Sequence, residues 1–223
     1  MFKVDDLDET RAPLLDHLIE LRTRLIRALL ALGVGFAVCL YFADEILGIL
    51  VWPLKQAFPA GEGQLIFTKL PEVFFVELKV ALFAGFMVSF PVIANQLWAF
   101  IAPALHRKEK RTSVLFVSAA TPFFAMGATL GYFILPVAIK ALFGFTPDSI
   151  SNLVRFDDYL DFVLRLILFV GLAFELPIFL LTFNLIGFLR GKTILKPWRI
   201  WIFTIFFFVA ALSPTADPLS MVL

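Results

Sequence analysis

Four long stretches of this chain, and a shorter fifth, are so apolar that lipid is the only solvent in which they make sense, and they set its architecture. A bilayer core about 30 Å thick takes roughly 20 apolar residues in helical form. Residues 25–42 offer such a run, broken only by Arg27, which lies close enough to the end to snorkel. Residues 80–105 and 112–139 hold no charged side chain, and 166–189 hold one, Glu175. The fifth run, 200–212, is short unless it recruits Trp198 and Arg199 or tilts little, which gives a span of about 199–213. After a turn-rich break from Ser213 through Pro214 to Pro218, residues 219–223 begin a sixth. The chain therefore reads as a fragment lacking most of that helix, and as one domain over 1–223.

Composition agrees. Charged residues make up 17% of the chain, against about 25% in soluble domains. The 28 phenylalanines exceed what a soluble core of this size could hide. Mean hydropathy is +0.92. The charged N-terminal segment lacks a small-residue cleavage site, so the first apolar run is expected to stay as a span. The single cysteine, Cys39, admits no internal disulfide and no cysteine-based zinc framework.

Basic residues set the orientation. With the N-terminus cytoplasmic, that side holds 13 Lys and Arg and the other side 6, the arrangement the positive-inside rule favours. Residues 52–71 contain Pro53, Pro59, Gly61, Gly63 and Pro71, turn chemistry that predicts an ordered cap on the outer face. Residues 141–157 read similarly, with Thr146-Pro147-Asp148 as a turn and Asp157 as N-cap of the fourth span.

Residues 13–25 read as an amphipathic helix leading into the membrane, with Pro13 in its first turn and Leu14, Leu18, Leu21 and Leu25 on one face. Its polar face shows Asp16, Glu20 and Arg24. Glu20 and Arg24, four apart, form either a solvated helix pair or a carboxylate site for a basic ligand. Glu109, alone in the run from His106 to Arg111, either neutralises a basic loop or offers a second carboxylate on the same side. Two such groups could grip adjacent guanidiniums by bidentate bonds.

Glu175 stands in mid-span, where an acidic residue costs about 2.5 to 3.5 kcal/mol on insertion scales. It is expected to face protein or water, either in an interhelical bond or in a functional role. Pro177 frees the carbonyl of Ala173, and Pro91 and Pro122 are expected to bend the second and third spans. A bundle of kinked helices around a concave face follows.

Catalysis finds little support. The two histidines, His17 and His106, fall at the cytoplasmic surface, and no nucleophile, metal or phosphate-loop motif is present. No cofactor is implied. The basic loops lack aromatic interleaving and do not suggest nucleic acid.

Three strings resemble signature segments of the TatC family: His17-Leu18-Ile19-Glu20-Leu21-Arg22-Thr23-Arg24; Trp98-Ala99-Phe100-Ile101-Ala102-Pro103-Ala104-Leu105 with Glu109 beyond it; and Phe174-Glu175-Leu176-Pro177. They stand in the family's order, with Pro53 in the first outer loop. The resemblance implies an all-α, six-span membrane bundle of the bacterial inner membrane, N-terminus inside, that binds twin-arginine signal peptides of folded cargo. It implies assembly with the single-span TatA and TatB subunits, several copies together, surrounded by membrane lipid. By resemblance, Glu20 and Glu109 receive the arginine pair, with Arg22 and Phe100 nearby. Glu175 meets partner helices, and Pro53 and Asp217 are structural residues of the outer loops. Seven basic residues cluster near Glu20 and Glu109, so short-range bidentate bonding must supply the attraction. The alternative function is a proton-coupled secondary transporter with Glu175 as coupling carboxylate, against which stands the lack of internal repeats.

Overall fold

The computed structural model describes residues 5–58, 64–69, 71–101, 110–144 and 153–185. Five helices and two short strands follow in order: α1 (Asp5–Tyr41), α2 (Ala43–Ala57), β1 (Gln64–Ile66), α3 (Glu72–Ile101), α4 (Lys110–Phe143), β2 (Leu153–Arg155) and α5 (Phe156–Leu185). The chain divides into two compact units, Met1–Glu175 and Leu176–Leu223. The packing below is that of the first; in the second, α5 continues as helix to Leu185. Among the described residues, four helical segments are long and apolar enough to cross a membrane: His17–Tyr41, Glu72–Phe100, Ser118–Phe143 and Phe156–Leu181. The fifth and sixth runs expected from the sequence lie outside the described residues.

The helices begin earlier than the uncharged windows suggest. α3 starts eight residues before residue 80 and α5 ten before residue 166. The reason is that charges in these first turns are paired, so they do not end the helix. Lys79 of α3 donates to Asp157 and, at 2.6 Å, to Asp161, both on α5. Asp161 also meets Arg165 at 3.3 Å. Glu72, 7% exposed, accepts at Oε2 from the backbone N–H of Thr68 (2.8 Å) and Lys69 (3.0 Å) and from the Thr68 hydroxyl (3.0 Å). Its other oxygen faces Arg155 at 3.5 Å. Asp157 thus sits inside the first turn of α5 and holds Lys79, and is not the N-cap. α1 likewise runs unbroken from Asp5, so Pro13 lies within it and not in its first turn.

Residues 52–57 are helical as well. Pro53, expected in loop chemistry, is fully buried inside α2. A proline there has no N–H for the carbonyl four residues back, that of Ile49. Tyr132 of α4 donates its hydroxyl to the Ile49 carbonyl at 2.9 Å, and Tyr159 of α5 donates to the neighbouring Leu50 carbonyl at 2.7 Å. The one helix bond that Pro53 removes, at Ile49, is replaced from outside, and Leu50 gains a donor beyond the N–H of Leu54. Around this repair lies the core: Leu50 and Leu54 of α2, Val76 and Val80 of α3, Leu135 and Ile139 of α4, Leu160 and Val163 of α5. β1 and β2 pair in parallel, Gln64 opposite Leu153 and Ile66 opposite Arg155, tying the approaches to α3 and α5 together.

Elsewhere small residues set the packing, as they must where lipid offers no hydrophobic drive between helices. A Cβ on Gly85 of α3 would stand 2.6 Å from the backbone nitrogen of Phe36, and one on Gly35 of α1 would stand 2.7 Å from the Gly85 carbonyl oxygen. The two backbones touch. One turn on, Ser89 donates to the Ala31 carbonyl at 2.8 Å. On α4, Gly127 and Gly131 admit the backbone and side chains of Ile167, Val170 and Phe174 of α5.

Candidate functional site at the seam of α1 and α3

The contacts Gly35 with Gly85, Ala31 with Ser89 and His17 with Phe100 show that α1 and α3 run antiparallel, with His17 and Phe100 at one end. There the His17 and Phe100 rings stack with centroids 4.4 Å apart. One turn further along α1, Glu20 Oε1 accepts from Arg24 Nε at 3.0 Å and Nη2 at 2.5 Å. The pair is about two-thirds to three-quarters buried. Glu20, Arg24 and Ala28 are each less exposed than the residues on either side, which marks the face turned toward α3. Arg22, expected in the same region, is exposed.

The helical spacing of Glu20 and Arg24 thus produces the ion pair the sequence suggested, and the fold brings Phe100 to the same end. Glu109 and Asp217 lie outside the described residues. Pro53 belongs to the opposite end of the bundle, within α2.

Glu175 is buried, 3% exposed, and its Oε1 accepts no hydrogen bond among the described residues. One turn earlier, Gly171 lets Phe124 of α4 approach, a Cβ there standing 2.9 Å from the ring. Phe124 in turn stacks on Phe90 of α3 at 3.7 Å. These two rings, with Met87, Pro91 and Thr121, line a groove of about 290 Å³ between α3 and α4. Among the described residues no group of His, Cys, Asp and Glu could hold a metal ion.

One residue escaped sequence reasoning altogether. Gln96, on α3 one turn before Phe100, has a side-chain Oε1 that is sealed from solvent and accepts no hydrogen bond among the described residues. It stands in a window chosen for having no charge, and an amide passes such a filter. Its spacing of seven from Ser89 and four from Phe100 was the available signal.

The family described as "Sec-independent protein translocase protein (TatC)" matches residues 16–223. The chain belongs to the TatC family. The TatC protein of Xylanimonas cellulosilytica is 40% identical over 215 residues, covering 96% of this chain and 78% of its own. That of Desulforapulum autotrophicum is 39% identical over 218 residues, covering 97% and 80%. Two crystal structures of a twin arginine translocase receptor, TatC, superpose with TM-scores of 0.80 and 0.81. They are 34% and 36% identical, with 92% and 93% of this chain and 90% and 92% of theirs covered. The protein is therefore a helical membrane component of the TatC type, and the seam of α1 and α3 falls within the matched region.

Proposed function

We propose that this TatC-family protein is the receptor subunit of a twin-arginine translocase, binding the paired arginines of signal peptides at Glu20 and Glu109 on the cytoplasmic face. The observation that carries the reading is the geometry of Glu20: one carboxylate oxygen already takes two N–H groups from a guanidinium, that of Arg24. A carboxylate so placed can take a peptide arginine in the same way, by charge-assisted bonds that a lysine ammonium matches less well. The pair with Arg24 is local and partly exposed, worth about 0.3 to 0.5 kcal/mol, so an incoming arginine displaces it at small cost. Phe100 and His17 form an aromatic surface beside it, on which a guanidinium plane can stack.

In this reading the N-terminus is cytoplasmic in the bacterial inner membrane, several copies assemble with TatA and TatB, and Glu175 meets a partner helix. The protein binds and gates; it catalyses no covalent step.

The test is binding of a twin-arginine signal peptide to the full chain in membranes, against a twin-lysine peptide and with Glu20→Gln and Glu109→Gln. Arginine-dependent binding that drops in both variants is expected. Equal binding of both peptides, or none, overturns the receptor reading, and proton flux lost in Glu175→Gln would then favour a coupled transporter.

A further inference from the structure

α3 presents a continuous stripe to α1. Gly85 touches the α1 backbone, Ser89 bonds to Ala31, and Phe100 stacks on His17. The steps from 85 to 89, 96 and 100 are four, seven and four, all near-whole numbers of helical turns, so Gln96 belongs to this stripe. The antiparallel register runs from Ala31 opposite Ser89 to His17 opposite Phe100. Interpolated, it sets Gln96 against the turn of α1 that holds Glu20 and Arg24.

An amide oxygen sealed from solvent without a donor is unfavourable. Leucine would occupy the same position without that cost. By this register, an acceptor with no donor among the described residues stands near the carboxylate that holds the Arg24 guanidinium.

Guanidinium has five N–H donors in one plane. Two serve a carboxylate oxygen, as Arg24 does at Glu20, and the rest point away from it. An acceptor beside the carboxylate meets those remaining donors. A lysine ammonium, a point charge with three radiating donors, spans two separated acceptors less well.

We propose that Gln96 is a second acceptor of the arginine site: a peptide guanidinium that replaces Arg24 at Glu20 also donates to Gln96 Oε1. This rests on the signal-peptide reading above and adds a residue to it. Among the described residues Gln96 Oε1 has no donor, and the bound arginine supplies one. Gln96 thereby contributes to the choice of arginine over lysine.

The experiment uses the full chain in lipid nanodiscs, with thermal unfolding and titration of twin-arginine and twin-lysine peptides on the parent, Gln96→Leu, Gln96→Glu and Glu20→Gln. Gln96→Leu is expected to melt at the same or a higher temperature, because an unsatisfied acceptor is gone. It is expected to bind the twin-arginine peptide about tenfold more weakly (~1.4 kcal/mol) and the twin-lysine peptide unchanged. Gln96→Glu, which keeps an acceptor, retains twin-arginine binding at parent strength or better. Binding that needs Glu20 but is unaltered in Gln96→Leu overturns this proposal alone. So does a Gln96→Leu that melts lower while Gln96→Glu loses binding, since Gln96 would then be structural. A parent that does not distinguish the two peptides overturns the receptor reading and this proposal with it.

Discussion

The two ends of the bundle treat their polar groups in opposite ways. At the end built around α2, nearly every polar group that burial or a helix break would strand has been given a partner. Lys79 has two aspartates, Glu72 three donors besides Arg155, and the Ile49 and Leu50 carbonyls a tyrosine each. The exception is Arg155 Nε. Toward the other end, Gln96 and Glu175 each keep a sealed oxygen with no donor among the described residues. Among the described residues the Glu20 carboxylate there is satisfied only by a neighbour on its own helix. Since a satisfied network rigidifies and an unsatisfied group costs stability, the first end reads as scaffold, and the second, under the receptor reading proposed above, as the end where a partner would supply the missing donors.

The sharpest blow to the shared frame is Gly85→Leu. Its side chain would have to enter the Phe36 backbone, and we expect destabilisation of about 3 kcal/mol or more, seen as aggregation or loss of the thermal transition in detergent. Survival with an unchanged melt would mean that the two backbones separate easily. Next, Lys79→Met leaves Asp157 and Asp161 together without their cation. Fully buried pairs lose about 3 to 5 kcal/mol when broken; with each side chain about one-third exposed, about 2 kcal/mol is expected. Adding Asp157→Asn should restore part of it, and a double variant no better than the single would deny the pairing its role.

Tyr159→Phe removes one donor from a buried carbonyl, for an expected loss of about 1 to 2 kcal/mol by thermal or denaturant unfolding. Tyr132→Phe, at a more exposed bond, should cost less. The smallest effect belongs to the other end. Glu175→Gln is expected to leave stability within about 1 kcal/mol of the parent, toward stabilisation, because the near-isosteric amide cannot ionise where the carboxyl is buried. A large loss there would erase the contrast between the ends.

Apolar length was enough to read the helical membrane bundle, because in lipid each spanning segment must satisfy its own backbone. Spacing alone was enough for the Glu20–Arg24 pair, which lies within one helix. What escaped depended on a second segment far along the chain. Charge was taken as the edge of a span, yet Lys79 is neutralised by residues 78 and 82 positions away. Proline was taken as a turn, yet Pro53 stays in a helix because tyrosines from α4 and α5 mend it. Gly35 and Gly85 drew no notice, since a glycine's value lies in which backbone approaches it. Gln96 carries no charge and has no motif; only its burial makes it conspicuous.

The repair of α2 has a consequence in time. The hydroxyls that complete it come from residues 83 and 109 positions downstream. At about 5 to 20 residues per second, the ribosome delivers the second of them roughly 5 to 20 s after Leu50 itself. Until Tyr132 arrives the Ile49 carbonyl has no replacement for the N–H that Pro53 lacks, and until Tyr159 arrives Leu50 lacks its second donor. α2 can become a finished helix only once α4 and α5 have arrived, so the second helix of the chain to be made is among the last to mature.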